Sequence, residues 1–365
     1  MKLLSLLLAL CMLNGQLLLT GEFKVYANEP MQSLSWKALP DLPDSLGVAG
    51  PYVGTDNGVL IVAGGANFPE PVWENAKQWH RAIWVLREKQ GSYEWVAAGE
   101  LPGPCGYGAV VSIEQGLLCM GGNDANSVLR ECFLLNWDEK SQQVEVLPAA
   151  PLPEPNVYGQ AARIGNYVYL ACGQKEAGLD SATKTLWRMD LSHSDDPQKW
   201  TWEKCTEVPG EARALHVFVA QKRGADDCLY LMSGRSQRGD EVLYLQDNWE
   251  YTPRTDSWRQ LPDLPACVMA GPAIALDSNQ ILILGGDDGQ YFLRADELRD
   301  NHPGFPRKAY LFNNATEQWK TFATNHENQV TTSAVRWQGK IIIPSGEVRP
   351  RVRTPHIWQV IPSGE

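Results

Sequence analysis

The sequence predicts an all-β protein, a six-bladed β-propeller, from three features of the chain. Six mainly apolar hexamers, each ending in a small residue and a glycine, recur at intervals of about 51 to 61 residues. Strand-like runs rather than helical patterns fill these intervals. The N-terminal segment around Trp36 matches a later strand-like segment around Trp258. The hexamers end at Gly65, Gly122, Gly173, Gly234, Gly286 and Gly346.

Further strand-like runs around each hexamer bring the count to four strands per repeat. An apolar run follows each hexamer, as at Trp84 and Tyr310, and a later run often contains tryptophan, as at Trp95 and Trp319. Four strands make one propeller blade. The glycines and tryptophans resemble kelch repeats, in which glycine permits close approach of neighbouring backbones and the indole packs between blades.

The number of blades depends on how the two chain ends meet. After the last hexamer only one strand-like run remains, around Trp358, so the sixth blade lacks its outer strand. The N-terminal SLSWKALPDLP resembles TDSWRQLPDLP, the outer-strand segment of the fourth repeat, and we expect it to supply the missing strand. This pairing would close the ring and leave no open sheet edge at the seam.

Residues 1–27 have the pattern of a secretory signal peptide. An apolar run covers residues 3–19, and Val25 and Ala27 are small residues at the positions that suit cleavage after residue 27. We therefore expect an exported, periplasmic protein with one propeller domain over residues 28–365. A membrane anchor is the alternative interpretation of the same run. No later stretch has the ~20 apolar residues of a transmembrane helix, so we expect no stable membrane insertion.

The composition of the chain limits the classes of partner that it can bind. The formal net charge of −11 argues against nucleic acid and anionic membrane surfaces as ligands. Seven cysteines follow the predicted cleavage site, and most lie in strand-like runs where a small apolar side chain packs well. Neither CxxC spacing nor a Cys/His zinc pattern occurs, so we predict no disulfide and no metal. Oligomeric state is left open, with a homodimer as one outcome.

Propeller topology predicts that chemistry lies at one mouth of the central channel. The loop after each hexamer and the loop that leads into each blade fall on the same face, so both sets surround that mouth. Two of the loops after hexamers are long, Ala66 to Arg81 and Asp287 to Arg307. Long loops on a rigid scaffold commonly carry binding residues.

The segment SGEVRPRVRT, Ser345 to Thr354, carries the clearest chemical signal. Three arginines fall within five residues of an otherwise acidic chain, which predicts an anion site because guanidinium forms a planar fork that matches a carboxylate. A hairpin turned at Pro350 would place Glu347 beside Arg353 at the channel mouth. A cross-strand ion pair with solvated loop charges also explains these residues. The arginines are Arg349, Arg351 and Arg353.

The string GEVRPRVRT, with the Ser-Gly that flanks it, resembles the segment that carries the active-site glutamate and arginine of bacterial N-acetylneuraminate epimerases, also called sialic acid mutarotases. The stretches AGELPGPCGYGAVVSIEQGLLCMGG, VMAGPAIA at Met269 and LPAAPLP at Leu147 resemble the same family. The last is similar to the start of the family's mature chain but lies mid-sequence, so the chain resembles a cyclically permuted branch. Cys105 departs from the family, which has an arginine there.

The resemblance implies a mutarotase that interconverts the α and β anomers of N-acetylneuraminate or a related sialic acid by acid/base-catalysed ring opening and closure. No cofactor or metal is implied. Glu347 would be the principal acid/base, and Arg353 the cation that holds the substrate carboxylate. Further candidates for substrate contact, chosen by their position near the mouth, are Arg213, Arg235, Arg351, Asn67 and Asn123.

Two other classes of function fit parts of this pattern. An exported kelch propeller that binds a glycan or a protein without turnover would have the same architecture, but it would keep its affinity without Glu347. A sialidase would also suit an anionic sugar. Sialidases resemble one another in SxDxGxxW boxes and a tyrosine nucleophile, and no such box occurs here. The expected partner is a small anionic sugar.

Overall fold

Six four-stranded antiparallel sheets form a closed ring in the computed structural model, which describes residue 31, residues 33–276 and residues 279–363. The predicted signal peptide lies outside the described residues. The strands of blades 1 to 3, from the channel outward, are Tyr52–Asp56, Val59–Ala63, Ala82–Lys89 and Ser92–Glu100; Ala109–Ile113, Gly116–Met120, Cys132–Asp138 and Gln143–Ala149; and Gln160–Ile164, Tyr167–Ala171, Leu186–Asp190 and Trp202–Lys204.

Blades 4 to 6 complete the ring in the same order. Their strands are Val217–Arg223, Asp226–Met232, Asn248–Thr252 and Ser257–Leu261; Ala273–Leu276, Gln280–Ile283, Lys308–Asn313 and Gln318–Ala323; and Val335–Trp337, Lys340–Pro344, Ile357–Pro362 and Leu34–Leu39. Small hairpins pair Ala66–Asn67 with Gln78–Trp79, Arg235–Arg238 with Glu241–Tyr244, and Glu347–Arg349 with Val352–Arg353. Short helices occupy Leu179–Ser181, Pro197–Lys199, Phe292–Arg294, Ala295–Leu298 and Arg299–Asn301.

The N-terminal strand closes the ring, as the sequence predicts. Leu34–Leu39 pairs antiparallel with Ile357–Pro362, and Trp36 lies opposite Val360 in the register. Blade 6 therefore takes its outer strand from one end of the chain and its other three from the opposite end. The six-bladed, all-β prediction is confirmed.

The core lies between neighbouring blades rather than at the centre of the ring. Six buried apolar clusters each combine residues of two adjacent blades, one cluster per blade interface. Three outer-strand tryptophans add a polar link, because each of these donates its indole N–H to a carbonyl just beyond the outer strand of the preceding blade. These bonds run from Trp95 to Pro40, Trp258 to Thr206 and Trp319 to Pro262, at 3.0, 2.9 and 3.0 Å.

The glycine that ends each hexamer allows the loops at the channel mouth to pack closely. All six have φ between 90° and 126°, a region that residues with a Cβ rarely adopt. A Cβ on Gly122 would lie 2.6 Å from the carbonyl oxygen of Gly106, and one on Gly234 would lie 2.8 Å from that of Ala214. The recurrence of glycine in the sequence thus reflects close backbone contact between two loops of each blade.

A continuous belt of backbone hydrogen bonds surrounds the channel just below this mouth. Each of six belt residues donates its N–H to the carbonyl of the belt residue in the neighbouring blade, at 2.6 to 3.0 Å. All six have φ between 53° and 66°. Beyond the belt, the inner strands line a cavity of about 530 Å³ that contains none of the predicted site residues. The belt residues are Gly50, Tyr107, Tyr158, Leu215, Ala270 and Thr331.

Candidate active site

The first residue after each hexamer forms a rim around the channel mouth. Each rim residue makes an isolated antiparallel bridge with the loop that leads into the same blade, so the two sets of loops share one face, as predicted. The rim carries charge on one side, in blades 4 to 6, and none in blades 1 to 3. In order of blades the rim residues are Ala66, Asn123, Gln174, Arg235, Asp287 and Glu347.

The segment with three arginines forms the predicted hairpin at this rim. Glu347 lies opposite Arg353 in the register, and Arg351 adopts a φ of 68° at the turn. The Nη1 atom of Arg353 lies 2.6 Å from Oε1 of Glu347, and the exposed fractions of the two side chains are 4% and 15%. The structure therefore brings these two predicted residues together as a largely buried ion pair at the mouth.

The two carboxylate oxygens of Glu347 have different surroundings. Oε1 accepts hydrogen bonds from the Arg353 guanidinium and, at 2.9 Å, from the backbone N–H of Arg351. Among the described residues Oε2 has only the hydroxyl of Thr331 at 3.4 Å, and that hydroxyl donates to the Val330 carbonyl at 2.6 Å. Oε2 is thus the oxygen that retains capacity to accept or deliver a proton.

Each of the three guanidinium nitrogens of Arg353 contacts a group of the protein. Besides Glu347 the guanidinium contacts the hydroxyl of Tyr107 at 3.3 Å and the carbonyl of Ala66 at 3.4 Å, and it lies 5.0 Å above the ring of Phe68. Burial acts to lower the pKa of Arg353, but the charge of Glu347 and the contact with Tyr107 outweigh it, so the pKa is raised. This cation holds Glu347 in place.

Arg235, in blade 4, is the least committed cation of the rim. Among the described residues its side chain makes no ion pair or hydrogen bond, and its buried Nε has no partner. Its guanidinium stacks 4.8 Å above the ring of Phe292, and burial lowers its pKa. A planar cation held by an aromatic ring with free N–H groups is suited to bind a carboxylate from a ligand.

Asp287 occupies the rim between Arg235 and Glu347 and is not one of the site residues predicted from the sequence. It is half-buried, and its Oδ1 accepts the backbone N–H of Gly289 at 2.9 Å. Burial raises the pKa of Asp287 to about 6, and the charges of Asp288 and Glu347 act in the same direction. The signal that identifies Asp287 in the sequence is its position directly after a hexamer, the position that Glu347 holds in the next blade.

The two long loops meet above the Glu347 hairpin. The indole N–H of Trp73 in the first loop donates to Oδ1 of Asp300 in the second at 3.1 Å, and Arg349 donates to the Asp300 carbonyl at 2.8 Å. The guanidinium of Arg351 contacts the Val72 carbonyl at 3.2 Å and stacks 4.8 Å from the ring of Phe68. Arg351, a predicted substrate contact, thus joins the hairpin to the first loop.

The other predicted substrate contacts differ in what their side chains reach. The fully buried guanidinium of Arg213 is bound by both oxygens of Asp247 at 2.6 Å. The amide of Asn67 is also used within the protein, donating to the Gly47 carbonyl at 3.0 Å and lying 2.8 Å from Nε2 of His80. Asn123 differs, because its buried Oδ1 has no partner among the described residues.

The cysteines lie in the packing between strands. All seven in the described part are free thiols, and all except Cys205 are buried. Cys105, the departure from the epimerase pattern, packs in the cluster between blades 1 and 2, and burial raises its thiol pKa to about 11.

Among the described residues no group of three or more His, Cys, Asp or Glu is placed to hold a metal ion. No helix in the same ranges is both long and apolar enough to span a bilayer.

Comparisons with known proteins agree with the predicted resemblance. Residues 11–144 match the sequence profile of the N-acetylneuraminate epimerase family. The N-acetylneuraminate epimerase of Yersinia enterocolitica is 26% identical over 228 residues, which cover 55% of this chain and 54% of that protein. The one from Brucella melitensis is 34% identical over 155 residues, covering 35% and 39%. The chain spans about half or less of the length of these curated relatives, and the resemblance is confirmed over that part.

A solved structure supports the architecture over nearly the whole ring. The structure of YjhT superposes with a TM-score of 0.64 over 86% of this chain and 94% of that chain, at 17% sequence identity. At this identity the likeness shows the fold alone. The cyclically permuted order stays a prediction.

Proposed function

We propose that this protein is a mutarotase that interconverts the α and β anomers of N-acetylneuraminate or a related sialic acid. The observation that carries the proposal is Oε2 of Glu347, a carboxylate oxygen with spare hydrogen-bonding capacity beside a buried guanidinium at the channel mouth. The similarity to N-acetylneuraminate epimerases supports the same activity.

The chemistry matches what Glu347 offers. Mutarotation opens the sugar ring to the keto form and closes it on the other face, which needs a group to remove the proton of the anomeric hydroxyl and to return it. Arg353 fixes Oε1 by a 2.6 Å contact, so the second oxygen is oriented without help from the substrate. Glu347 therefore acts as the acid/base at the anomeric oxygen, and Arg353 positions it.

The substrate carboxylate needs a cation, and the contacts favour Arg235 over Arg353 for this role. Arg353 already binds Glu347, Tyr107 and Ala66, whereas the guanidinium of Arg235 has no such partner among the described residues. Holding the carboxylate at Arg235 also keeps two negative groups apart, because the substrate's own charge would otherwise lie against Glu347. The neutral side of the rim, with Asn123, is left for sugar hydroxyls.

The predicted cellular setting belongs to the same proposal. Residues 1–27 serve as the signal peptide, and residues 28–365 act in the periplasm as a single propeller domain on a small anionic sugar. A homodimer is compatible with this function, because the site is built from the loops of one ring.

The activity is tested by nuclear magnetic resonance on α-N-acetylneuraminate released in situ. The wild type should shorten the approach to anomeric equilibrium, and Glu347→Gln should lose that acceleration. Glu327→Gln is the matched control, because Glu327 is an exposed glutamate in the loop that leads into the same blade. A wild type that leaves the rate unchanged refutes the mutarotase. If it still binds the sugar, and Glu347→Gln binds equally well, the protein is a glycan-binding module.

A further inference from the structure

Ring opening requires two proton transfers, and Glu347 accounts for one of them. One proton leaves the anomeric hydroxyl, and another must reach the ring oxygen as its bond to the anomeric carbon breaks. We propose that Asp287 is the second catalytic acid/base of this site, the group that protonates the ring oxygen while Glu347 takes the proton from the anomeric hydroxyl. This inference rests on the proposed mutarotase function and adds a residue to it.

The geometry of the rim places Asp287 correctly for this role. Asp287 and Glu347 are the first residues after their hexamers in adjacent blades, and each bridges the loop that leads into its own blade, through Met269 and Val330. Two equivalent positions of a six-fold ring face the same opening. A sugar bound over the belt would therefore meet one carboxyl from blade 5 and one from blade 6.

The two carboxyl groups differ in their partners, which separates their roles. Glu347 forms an ion pair with Arg353, whereas Asp287 forms none among the described residues and takes one backbone N–H, from Gly289. Burial without a counter-ion favours the neutral acid, and an ion pair implies the charged base. The titratable and charged groups that face Asp287 are Arg235, Tyr244, Cys267, Asp288 and Glu347.

The step balances with these two groups alone. The Glu347 carboxylate takes the proton of the anomeric hydroxyl, the electron pair of that O–H bond forms the keto C=O, and the bond between the anomeric carbon and the ring oxygen breaks. The ring oxygen takes the carboxyl proton of Asp287 and becomes a hydroxyl. Closure reverses each transfer, so both residues return to their starting state with no oxidant, reductant or other reactant.

A purely structural role for Asp287 makes a different prediction. Its Oδ1 accepts the Gly289 N–H in a local turn, a common use of aspartate. Asp287→Asn keeps an acceptor oxygen for that bond but has no carboxyl proton to donate. The neighbouring Asp288 also accepts a backbone N–H, from Gln290 at 3.0 Å, so Asp288→Asn is a matched control for any effect on the loop.

The test is the pH dependence of kcat for the wild type, Asp287→Asn and Asp288→Asn, measured by the same anomer exchange above the uncatalysed rate. We expect wild-type kcat to fall as pH rises through about 6, where Asp287 loses its proton. Asp287→Asn should lower kcat at pH 5.5 by about 100-fold or more, the usual worth of a general acid. It should also abolish that fall and leave KM within a few fold. Asp288→Asn should keep the rate at pH 5.5 within a few fold and keep the fall, which moves to lower pH because the charge of Asp288 helps raise the pKa of Asp287.

Several results would overturn the inference while leaving the mutarotase intact. The first is a wild-type kcat that does not fall between pH 5 and 7.5. The second is an Asp287→Asn variant that has the kcat of the wild type. The third is an Asp287→Asn variant whose lower activity comes only from a higher KM. The wild-type profile decides the question even where the variant fails to fold. A wild type without any activity is distinguishable, because it refutes the proposed function together with this addition.

Discussion

Two buried arginine–carboxylate pairs, one in blade 4 and one in blade 6, look alike in composition and differ in what they leave free. In blade 4, Arg213 is fully buried and both oxygens of Asp247 bind its guanidinium at 2.6 Å. In blade 6, Arg353 binds only one oxygen of Glu347. Trp249 also donates to Asp247, at 2.7 Å, whereas Oε2 of Glu347 keeps spare capacity.

The difference shows how the same chemical pair serves stability in one blade and a site in another. A carboxylate whose two oxygens are both bound within the protein has less capacity for proton transfer, but it keeps a buried guanidinium neutralised. A carboxylate held by one oxygen is fixed in orientation and still reactive at the other. A loss of rate from changes in the blade 6 pair and a loss of stability from changes in the blade 4 pair would separate these two roles.

The largest expected effect is on the rate of the blade 6 variant. Glu347→Gln removes the group that exchanges the proton, so kcat should fall by about 100-fold to 10,000-fold. Asp247→Asn should leave kcat of the folded protein within about two-fold of wild type, because Asp247 is bound to Arg213 rather than placed on the rim. Timed anomer exchange by nuclear magnetic resonance measures both. Equal losses of kcat in the two variants would remove the distinction between the pairs.

The next effect is on stability and falls on blade 4. Asp247→Asn leaves the fully buried charge of Arg213 without a counter-charge, and the free energy of unfolding should drop by about 3–5 kcal/mol. Urea unfolding followed by tryptophan fluorescence measures it. The control is Asp226→Asn, which removes the surface pair with Arg254 in the same blade and should cost little, because solvent screens that pair. A cost this small for Asp247→Asn would show that blade 4 does not depend on its pair.

A smaller effect tests which arginine holds the substrate. Arg235→Gln removes a contact made in both the ground state and the transition state, so KM should rise by about 10-fold to 100-fold with kcat little changed. The control is Arg238→Gln, an exposed arginine of the same hairpin that pairs with Glu211. An unchanged KM in Arg235→Gln would indicate that Arg353, and not Arg235, binds the substrate carboxylate.

The smallest effect is a pH dependence of stability near the blade 4 pair. Burial first, and the charge of Arg213 second, lower the pKa of His216 to about 3. Below pH 6.5 His216 binds a proton in the unfolded chain but stays neutral in the folded protein. The free energy of unfolding therefore decreases as pH falls from 6.5 toward 3. His216→Gln should reduce the loss between pH 6.5 and 5.5 by about 1 kcal/mol, measured by urea unfolding. The exposed His193→Gln is the control, and identical slopes in all three proteins would contradict the assignment.

The sequence predicts the ring well because its signals are repeated. Each hexamer glycine is required by the same close approach of two backbones, and Trp36 and Trp258 occupy the same place in their blades. The same pattern therefore recurs in several blades, and each recurrence supports the prediction. The pairing of Glu347 with Arg353 is also predictable, since three arginines contrast with an acidic chain. Those signals need no knowledge of distant contacts.

The remaining site residues depend on contacts that the sequence does not display. Arg213 and Arg235 are both single arginines near the mouth, and only the partner Asp247, 34 residues from Arg213, shows that one is neutralised. Asp287 is one of 43 acidic residues, and nothing in the residue types around it distinguishes it from the other acidic residues. Its position directly after a hexamer is visible in the chain, but its burial without a counter-ion is a property of the folded ring.

The belt below the mouth has an electrostatic consequence. Its six N–H groups all point the same way around the channel, each toward the carbonyl of the neighbouring blade. Dipoles set head to tail around a circle cancel, unlike those aligned along a helix, whose terminus attracts ions. The floor of this site therefore has no helix-like end at which charge collects, and the sign of the potential that a ligand meets is decided by the charged side chains around the mouth.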